Sequence, residues 1–407
     1  MKYHRFILGA VALAAMCAAF PASAQSRQES PAAFPRLESS EEVRGFVSGG
    51  YTWQELARMA LWASTAGLPE AASVPRFTAL LEDAAAQMEQ ALPEDPRQRA
   101  EYVLTYLHDR YLKAYSALQT RIDVLLTNGR FNCVSSAVFY TILANAAGLE
   151  VFGVVTRDHA FATVRINGET IDVETTNRYG FDPGNRTEFH DRFGQTTGFA
   201  YVPARNYRER AEIGLPELVS LILSNRITEL EKSRRYIDAV PLAIDREAML
   251  AYRSKIPNSA IFADPHDDVL DRLFNFGAVF VNARREEDAL RWADFAAPLY
   301  PDEKRWADYV DAAVNNMLDK YIRGRDIAGA RDLLTHYQDR LTPGILARLD
   351  SLVTQNEIVA IHNTFAAQYN KRDFVGAYAI AAEGLARFPG NKQLASDAAL
   401  ANKAQQQ

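Results

Sequence analysis

Hydrophobic and polar residues repeat with a helical period through the first part of this chain, and the pattern changes after Gly148. Thr52 and Glu55 have the spacing of a capping box, which predicts a helix start. Apolar residues at 3.6-residue spacing predict a second helix over 96–118. Residues 133–147 (CVSSAVFYTILANAA) are almost wholly apolar, so they predict a helix buried on most sides.

A β-type pattern follows that helix. The segment LEVFGVVTRDHAFATVRINGETIDVETT is rich in Val, Ile, Phe and Thr, and Asn167-Gly168 lies between two alternating runs. This dipeptide favours a two-residue type I′ turn, in which Ile166 pairs with Glu169. A central helix followed by two or three antiparallel strands predicts an α+β fold.

The chain returns to a purely helical pattern from about residue 215 to the end. Four helical pairs recur there, and each carries a small residue at a matching place: Ala239, Ala289, Ala330 and Ala377. The steps between these alanines are 50, 41 and 47 residues. We expect residues 206–407 to form a degenerate α-helical solenoid similar to tetratricopeptide (TPR) repeats. An ordinary helical bundle is the alternative.

The N-terminus has the pattern of an export signal. It opens MKYHRFILGAVALAAMCAAFPASAQ, with two cations, an apolar run and a small-x-small site, which predicts a signal peptide over 1–24 cut before Gln25. Met16 precedes Cys17, which does not suit a lipid anchor. Residues 25–45 are expected to be a flexible lead-in, and 46–205 the main α+β domain. The mature protein is expected to be periplasmic or secreted, without stable membrane insertion.

Charge and cysteine content narrow the possible functions. The chain has 407 residues, a net charge of -6 and two cysteines. It shows no basic patch of the size that nucleic acid requires, so no nucleic-acid partner is expected. Signal cleavage removes Cys17 and leaves Cys133 as a single thiol in an oxidising compartment, where no intramolecular disulfide is possible.

Cys133 stands where the apolar helix is predicted to begin. Asn132 is a favoured N-cap residue, and a helix N-terminus favours an anion such as a thiolate. Gly129 permits a sharp bend into this position. These features indicate a nucleophile, whereas the alternative is an inert cysteine packed as a small hydrophobic residue.

A thiol nucleophile needs an imidazole, and His159 is the histidine at the head of a predicted strand, 26 positions after Cys133. The third member should be an acid that orients the ring. The hairpin register places Thr176 opposite His159, with Glu174 diagonal to it and within reach. Asp172 lies farther along the strand and is the fallback if a bulge shifts the register.

These residues lie in three motifs, FNCVSSAVFYTILANAAGLEV, HAFATVRI and IDVETT. Their order resembles the transglutaminase-like superfamily of the papain-like cysteine enzyme fold, whose pattern is a Cys-bearing apolar helix, His-Ala-aromatic, and Asp-x-Thr. Phe161 stands for the aromatic residue, and Glu174 replaces the usual Asp. The resemblance covers about residues 98–185, and the helical tail is similar to TPR arrays of some bacterial members.

The resemblance implies acyl transfer through a thioester on Cys133, with a protein or peptide amide as substrate and hydrolysis as the preferred outcome. It implies an oxyanion hole from the Cys133 N–H and one upstream donor, for which Asn128, Asn132 and Gln119 are candidates. No cofactor is expected, and no metal, because calcium-loop spacing is absent. The alternative function is a non-catalytic scaffold that binds a protein or peptide partner through the TPR-like region.

Overall fold

The computed structural model describes most of the chain after residue 32. The described residues are 33–48, 51–156, 159–184, 189, 194–195, 197, 210–251 and 265–406. The predicted signal peptide over 1–24 lies outside them. Within the described residues the protein is mostly helical, with fifteen α-helices and one small antiparallel sheet of four strands. The coarse α+β prediction is confirmed.

Five helices precede the central one: α1 (Glu41–Ser48), α2 (Trp53–Thr65), α3 (Val74–Glu89), α4 (Pro96–Arg110) and α5 (Ile122–Asn128). The predicted capping box starts α2. The Glu55 N–H donates to the Thr52 hydroxyl at 3.2 Å, and the Thr52 N–H donates to the Glu55 carboxylate at 2.8 Å. Part of the predicted lead-in is helical, because α1 covers its end and buries Val43.

Helix α4 is shorter than its apolar pattern predicts. It ends at Arg110, so the prediction of a helix as far as Leu118 is wrong. The N–H groups of Lys113 and Ala114 donate to the Gly129 carbonyl rather than to the preceding helical turn. The chain instead forms β1 (Ala114–Tyr115), paired in parallel with β2 (Arg130–Phe131). Leu118 is exposed, so the last residue of this apolar pattern is not part of the buried core.

The apolar segment forms the central helix α6 (Cys133–Ala146), in which every residue from 134 to 144 is buried. It packs against α2 and α4 and against two strands of the sheet. The sheet contains β3 (Glu150–Val155), β4 (Ala160–Ile166), β5 (Glu169–Val173) and β6 (Ala211–Ile213), in the order β5-β4-β3-β6. Burial on both sides explains why the helix carries few polar residues.

The β4-β5 hairpin has the predicted register. Ile166 pairs with Glu169, and the ladder continues to Ala162 opposite Val173. Asn167 and Gly168 have φ values of 51° and 83°, as a type I′ turn requires. The ladder then stops, because the next N–H, of residue 174, donates to the Gly180 carbonyl at 2.8 Å. Residue 174 is therefore at the end of β5 and outside the ladder.

Nine helices form the rest of the described chain: α7 (Leu215–Lys232), α8 (Tyr236–Ala251), α9 (Pro265–Asn282), α10 (Glu286–Ala296), α11 (Arg305–Arg323), α12 (Ile327–Tyr337), α13 (Pro343–Asn370), α14 (Phe374–Arg387) and α15 (Lys392–Gln405). Each packs on its successor. Helix α7 also packs on α2 and α6, and the Arg226 guanidinium donates to the carbonyls of Ala63 and Ala66 at 2.7 and 2.6 Å. None of the described helices is long and apolar enough to span a membrane.

Four helix ends in this region have the same unusual turn, each with an arginine in the left-handed conformation: Arg234, Arg284, Arg325 and Arg372. Each turn has the two hydrogen bonds of a Schellman motif, for example from the Arg325 N–H to Ile322 and from the Asp326 N–H to Tyr321. The predicted small residue follows five positions later in every case, and all four alanines are buried. The four alanines of the sequence repeat therefore follow the same local turn.

The turn at Arg325 gives a stability prediction. Replacing Arg325 by glycine should raise the free energy of unfolding by about 0.5 kcal/mol, because a left-handed backbone costs an L-residue about 1–2 kcal/mol, of which the flexibility of unfolded glycine offsets part. Lys320→Gly removes the same charge from the exposed surface of α11 and should lower stability by about 0.5–1 kcal/mol. Urea unfolding of both variants measures the difference, and equal destabilisation would contradict the strain argument.

Candidate active site

The structure brings the three predicted residues of the triad together. Cys133 is the first residue of α6, His159 immediately precedes β4, and Glu174 immediately follows β5. The Nε2 atom of His159 lies 2.7 Å from Oε2 of Glu174. The Cys133 thiol also interacts with the His159 ring and contributes to the raised pKa of His159. The fallback residue Asp172 instead binds the Arg210 guanidinium with both carboxylate oxygens.

The helix N-terminus that carries Cys133 is capped from both directions. The Asn132 side chain accepts from the Ser135 N–H at 2.9 Å, and the Ser135 hydroxyl accepts from the Asn132 N–H at 2.9 Å. This reciprocal pair confirms the predicted N-cap and fixes the start of α6. Gly129 has a φ of 67°, so the predicted bend is also confirmed. The Cys133 side chain remains partly exposed and is a free thiol.

Glu174 is buried, and both of its carboxylate oxygens are occupied. One accepts from the Thr176 N–H at 3.1 Å and from the Thr176 hydroxyl at 2.6 Å, and the other faces His159. The turn that follows Glu174 closes at Gly180, where a Cβ atom would lie 1.9 Å from the Glu174 carbonyl oxygen. Only glycine therefore fits at residue 180, and this close contact holds Glu174 in place.

The electrostatics of the site favour a protonated His159. Burial by itself lowers the pKa of His159, but the negative charge of Glu174 and hydrogen bonds with Cys133 and Glu174 outweigh it, so the pKa is raised well above its ordinary value. Because Nε2 is bound to Glu174, Nδ1 is the ring nitrogen that remains for the thiol. A thiol, an imidazole and a buried acid in this order can perform nucleophilic catalysis.

A second histidine supports the segment that carries Glu174. Nε2 of His108, on α4, donates to the Thr175 carbonyl at 3.1 Å. Burial lowers the pKa of His108 to about 4, so its ring is neutral at physiological pH. The hydroxyls of Thr175 and Ser136 lie 2.8 Å apart and connect the same segment to α6. His108, in the last turn of α4, therefore has a packing and positioning role.

Tyr115 belongs to the site but was not predicted. Burial, followed by the charge of the nearby Cys133, raises the pKa of Tyr115, which keeps its hydroxyl protonated as a donor. Strand β1 places it beside Phe131, with ring centroids 5.8 Å apart. A two-residue strand has no detectable period in the sequence, so no pattern pointed to Tyr115.

The three amide side chains that the sequence suggests for the oxyanion hole have other partners or are exposed. The Gln119 amide donates to the Arg121 carbonyl at 2.7 Å, and the Asn132 amide donates to the Ala117 carbonyl at 3.2 Å. Asn128 is exposed at the end of α5. The Cys133 N–H is in the first helical turn, where amides have no intrahelical acceptor. This N–H and the Tyr115 hydroxyl are therefore the two candidate donors for an oxyanion beside the Cys133 side chain.

Two further observations concern metal ligands and a large cavity near the N-terminal helices. No group of three or more His, Cys, Asp or Glu side chains suited to a metal ion occurs among the described residues. A cavity of about 910 Å³ lies between the N-terminal helices and α8, and none of the three triad residues lines it.

A scan of the sequence found no matching protein-family model and no similar curated protein.

The two acids near His159 are distinguished by a titration. Glu174→Gln should make His159 lose its proton at a lower pH than in the wild type, because burial then acts without the opposing charge. Asp172→Asn, the matched control, should leave the His159 titration unchanged. Proton NMR of the imidazole across pH measures both, and an equal shift in the two variants would contradict the assignment to Glu174.

Removal of the Tyr115 hydroxyl tests whether it interacts with Cys133. Tyr115→Phe should slow alkylation of native Cys133 by iodoacetamide about tenfold at neutral pH, because a hydrogen bond to a charged group contributes about 1.5–3 kcal/mol. The phenyl ring keeps its contact with Phe131, so the urea midpoint should change little. Tyr378→Phe on α14 is the control and should leave the rate unchanged. An unaltered rate in Tyr115→Phe would exclude a contact of the hydroxyl with the reacting sulfur.

Proposed function

We propose that this protein is an exported, transglutaminase-like cysteine enzyme that acts on an amide by acyl transfer, as a hydrolase or protease. The observation that carries the proposal is the connected set of Cys133, His159 and Glu174, with 2.7 Å between the imidazole and the carboxylate. The α6 N-terminus favours negative charge on sulfur, and the partly exposed thiol is accessible to a substrate.

The mechanism follows from the order of these groups. The sulfur of Cys133 attacks the amide carbonyl carbon, and the N–H of Cys133 and the Tyr115 hydroxyl can donate to the developing oxyanion. His159 gives its proton to the leaving amine, so the C–N bond breaks and a thioester with Cys133 remains. Glu174 stabilises the imidazolium and holds the ring in place, but accepts no proton.

The second half of the reaction depends on the acceptor. Neutral His159 removes a proton from water, the resulting hydroxide attacks the thioester, and Cys133 leaves with the acid released. An amine acceptor would give a crosslink in place of an acid. Partial exposure of Cys133 supports water as the ordinary acceptor, and we therefore propose hydrolysis.

The helical region is proposed to be a TPR-like array that binds a protein partner. Four equal turns at Arg234, Arg284, Arg325 and Arg372 support a repeated architecture. Exposed apolar side chains on α13 and α14, among them Val359 and Val375 with 55% and 71% of their surface accessible, support a partner-binding role. The N-terminal cationic and apolar pattern supports export.

Capture of the acyl-enzyme tests the proposed reaction. The mature protein is incubated with an extract of exported proteins, quenched in acid and digested, and the Cys133 peptide is analysed by mass spectrometry. We expect an added mass on Cys133 that hydroxylamine removes, as a thioester requires. Added cadaverine then separates hydrolysis from crosslinking, because incorporation of the amine into extract proteins would indicate crosslinking.

Three variants control this experiment. Cys133→Ala should show no acyl adduct, and His159→Gln should form it about 10²–10⁴ times more slowly. Asp172→Asn changes a neighbouring acid and should behave like the wild type. If Cys133 remains unmodified and reacts with iodoacetamide only after unfolding, the protein is not a cysteine enzyme, and the scaffold function replaces this proposal.

A further inference from the structure

An open cleft of about 520 Å³ lies beside the triad. Two of the residues that line it interact with the triad. Tyr115 interacts electrostatically with Cys133, and the Thr176 hydroxyl donates to the carboxylate of Glu174 at 2.6 Å. The cleft is therefore adjacent to the triad.

The charge of this cleft is opposite to that of the whole chain. Lys113 and Arg178 line it, and none of its described lining residues is Asp or Glu. Asp109 pairs with Arg178, and its carbonyl accepts from the Lys113 ammonium. These three side chains together carry one net positive charge, within a chain whose net charge is -6. His108 adds no charge, since its ring is neutral.

Aromatic side chains form part of the walls of the cleft. The rings of Tyr115 and Phe131 line the cleft with their centroids 5.8 Å apart. Tyr179 lines it as well and has 52% of its surface accessible. The cleft thus combines aromatic faces, which bind apolar parts of a chain, with cations that attract a carboxylate.

We infer that this cleft binds the part of the amide substrate next to the scissile bond, and that this part is an acidic peptide segment whose carboxylate interacts with Lys113 and Arg178. The inference rests on the proposed function, because it takes the amide carbonyl to lie at Cys133. Charge complementarity here selects among substrates and speeds their binding, whereas the triad performs the reaction.

The electrostatic field that the cleft produces at Cys133 is measured by the rates at which methanethiosulfonate reagents modify this thiol. One reagent is anionic, one is cationic and one is neutral. The rates with the anionic 2-sulfonatoethyl reagent, the cationic 2-(trimethylammonium)ethyl reagent and the neutral methyl reagent are compared for native and urea-unfolded protein. Thiolate content cancels in the ratio of the anionic to the cationic rate, because all reagents attack the same sulfur. We expect this ratio to be about two- to fivefold higher in the native protein at low salt, and to fall as salt is added.

Charge variants locate the source of the field. Lys113→Gln should lower the native ratio by about twofold, and Arg178→Gln should lower it as well. Lys403→Gln removes the same charge from α15 and is the matched control, so it should leave the ratio unchanged. If Lys403→Gln acts as strongly as Lys113→Gln, the effect comes from net charge, and the inference is overturned.

Peptide protection tests the substrate class itself. Acetylated tripeptide amides that differ only in a central Glu, Gln or Lys compete with the neutral reagent for Cys133. The Glu peptide should protect at the lowest concentration, and Lys113→Gln should remove that advantage. Equal protection by all three peptides, or stronger protection by the Lys peptide, would overturn the acidic-segment assignment.

The outcomes distinguish failure of the proposed enzyme function from failure of the acidic-segment inference. If the neutral reagent does not react with native Cys133, the proposed function fails, and this inference fails with it. If the neutral reagent reacts with native protein but the anionic-to-cationic ratio equals that of unfolded protein, Cys133 remains a candidate nucleophile and only the acidic substrate class is rejected.

Discussion

The buried contact between His159 and Glu174 is the interaction on which the arrangement of the site depends. A carboxylate removed from water needs compensating partners, and Glu174 has them in Thr176 and His159. Loss of any one partner would leave an unsatisfied charge inside the protein. The close approach of Gly180 to the same backbone follows from this requirement, since the chain must turn around a fixed carboxylate.

Helix α6 provides the other half of the arrangement. The sheet and four helices (α2, α4, α5 and α7) pack on it and fix its position, and its N-terminus carries Cys133. The reciprocal cap of Asn132 and Ser135 then fixes the first turn, from which Cys133 faces the end of β4. A side chain at the start of a buried helix has little freedom to move, which suits the accurate alignment that the proposed reaction needs.

Much of this arrangement could be predicted because it has local signals. The capping box at Thr52, the apolar helix and the Asn167-Gly168 turn each depend on residues close together in sequence, and register arithmetic then related His159 to Glu174. The end of α4 and the strand with Tyr115 could not be predicted. They depend on hydrogen bonds from residues 113 and 114 to Gly129, a non-local pairing that leaves no periodic pattern. The left-handed arginines were also missed, because glycine is the usual residue there.

The use of glutamate where similar motifs have aspartate has a geometric reason in this chain. The β4-β5 ladder ends at Ala162 and Val173, so residue 174 has no strand partner that would bring its backbone beside His159. Its N–H turns toward Gly180 instead, and the side chain must cover the remaining distance to the ring. The additional methylene of glutamate supplies that length, while Thr176 holds the second oxygen. An aspartate at residue 174 would be one methylene shorter and would have to change the side-chain contacts with His159 and Thr176.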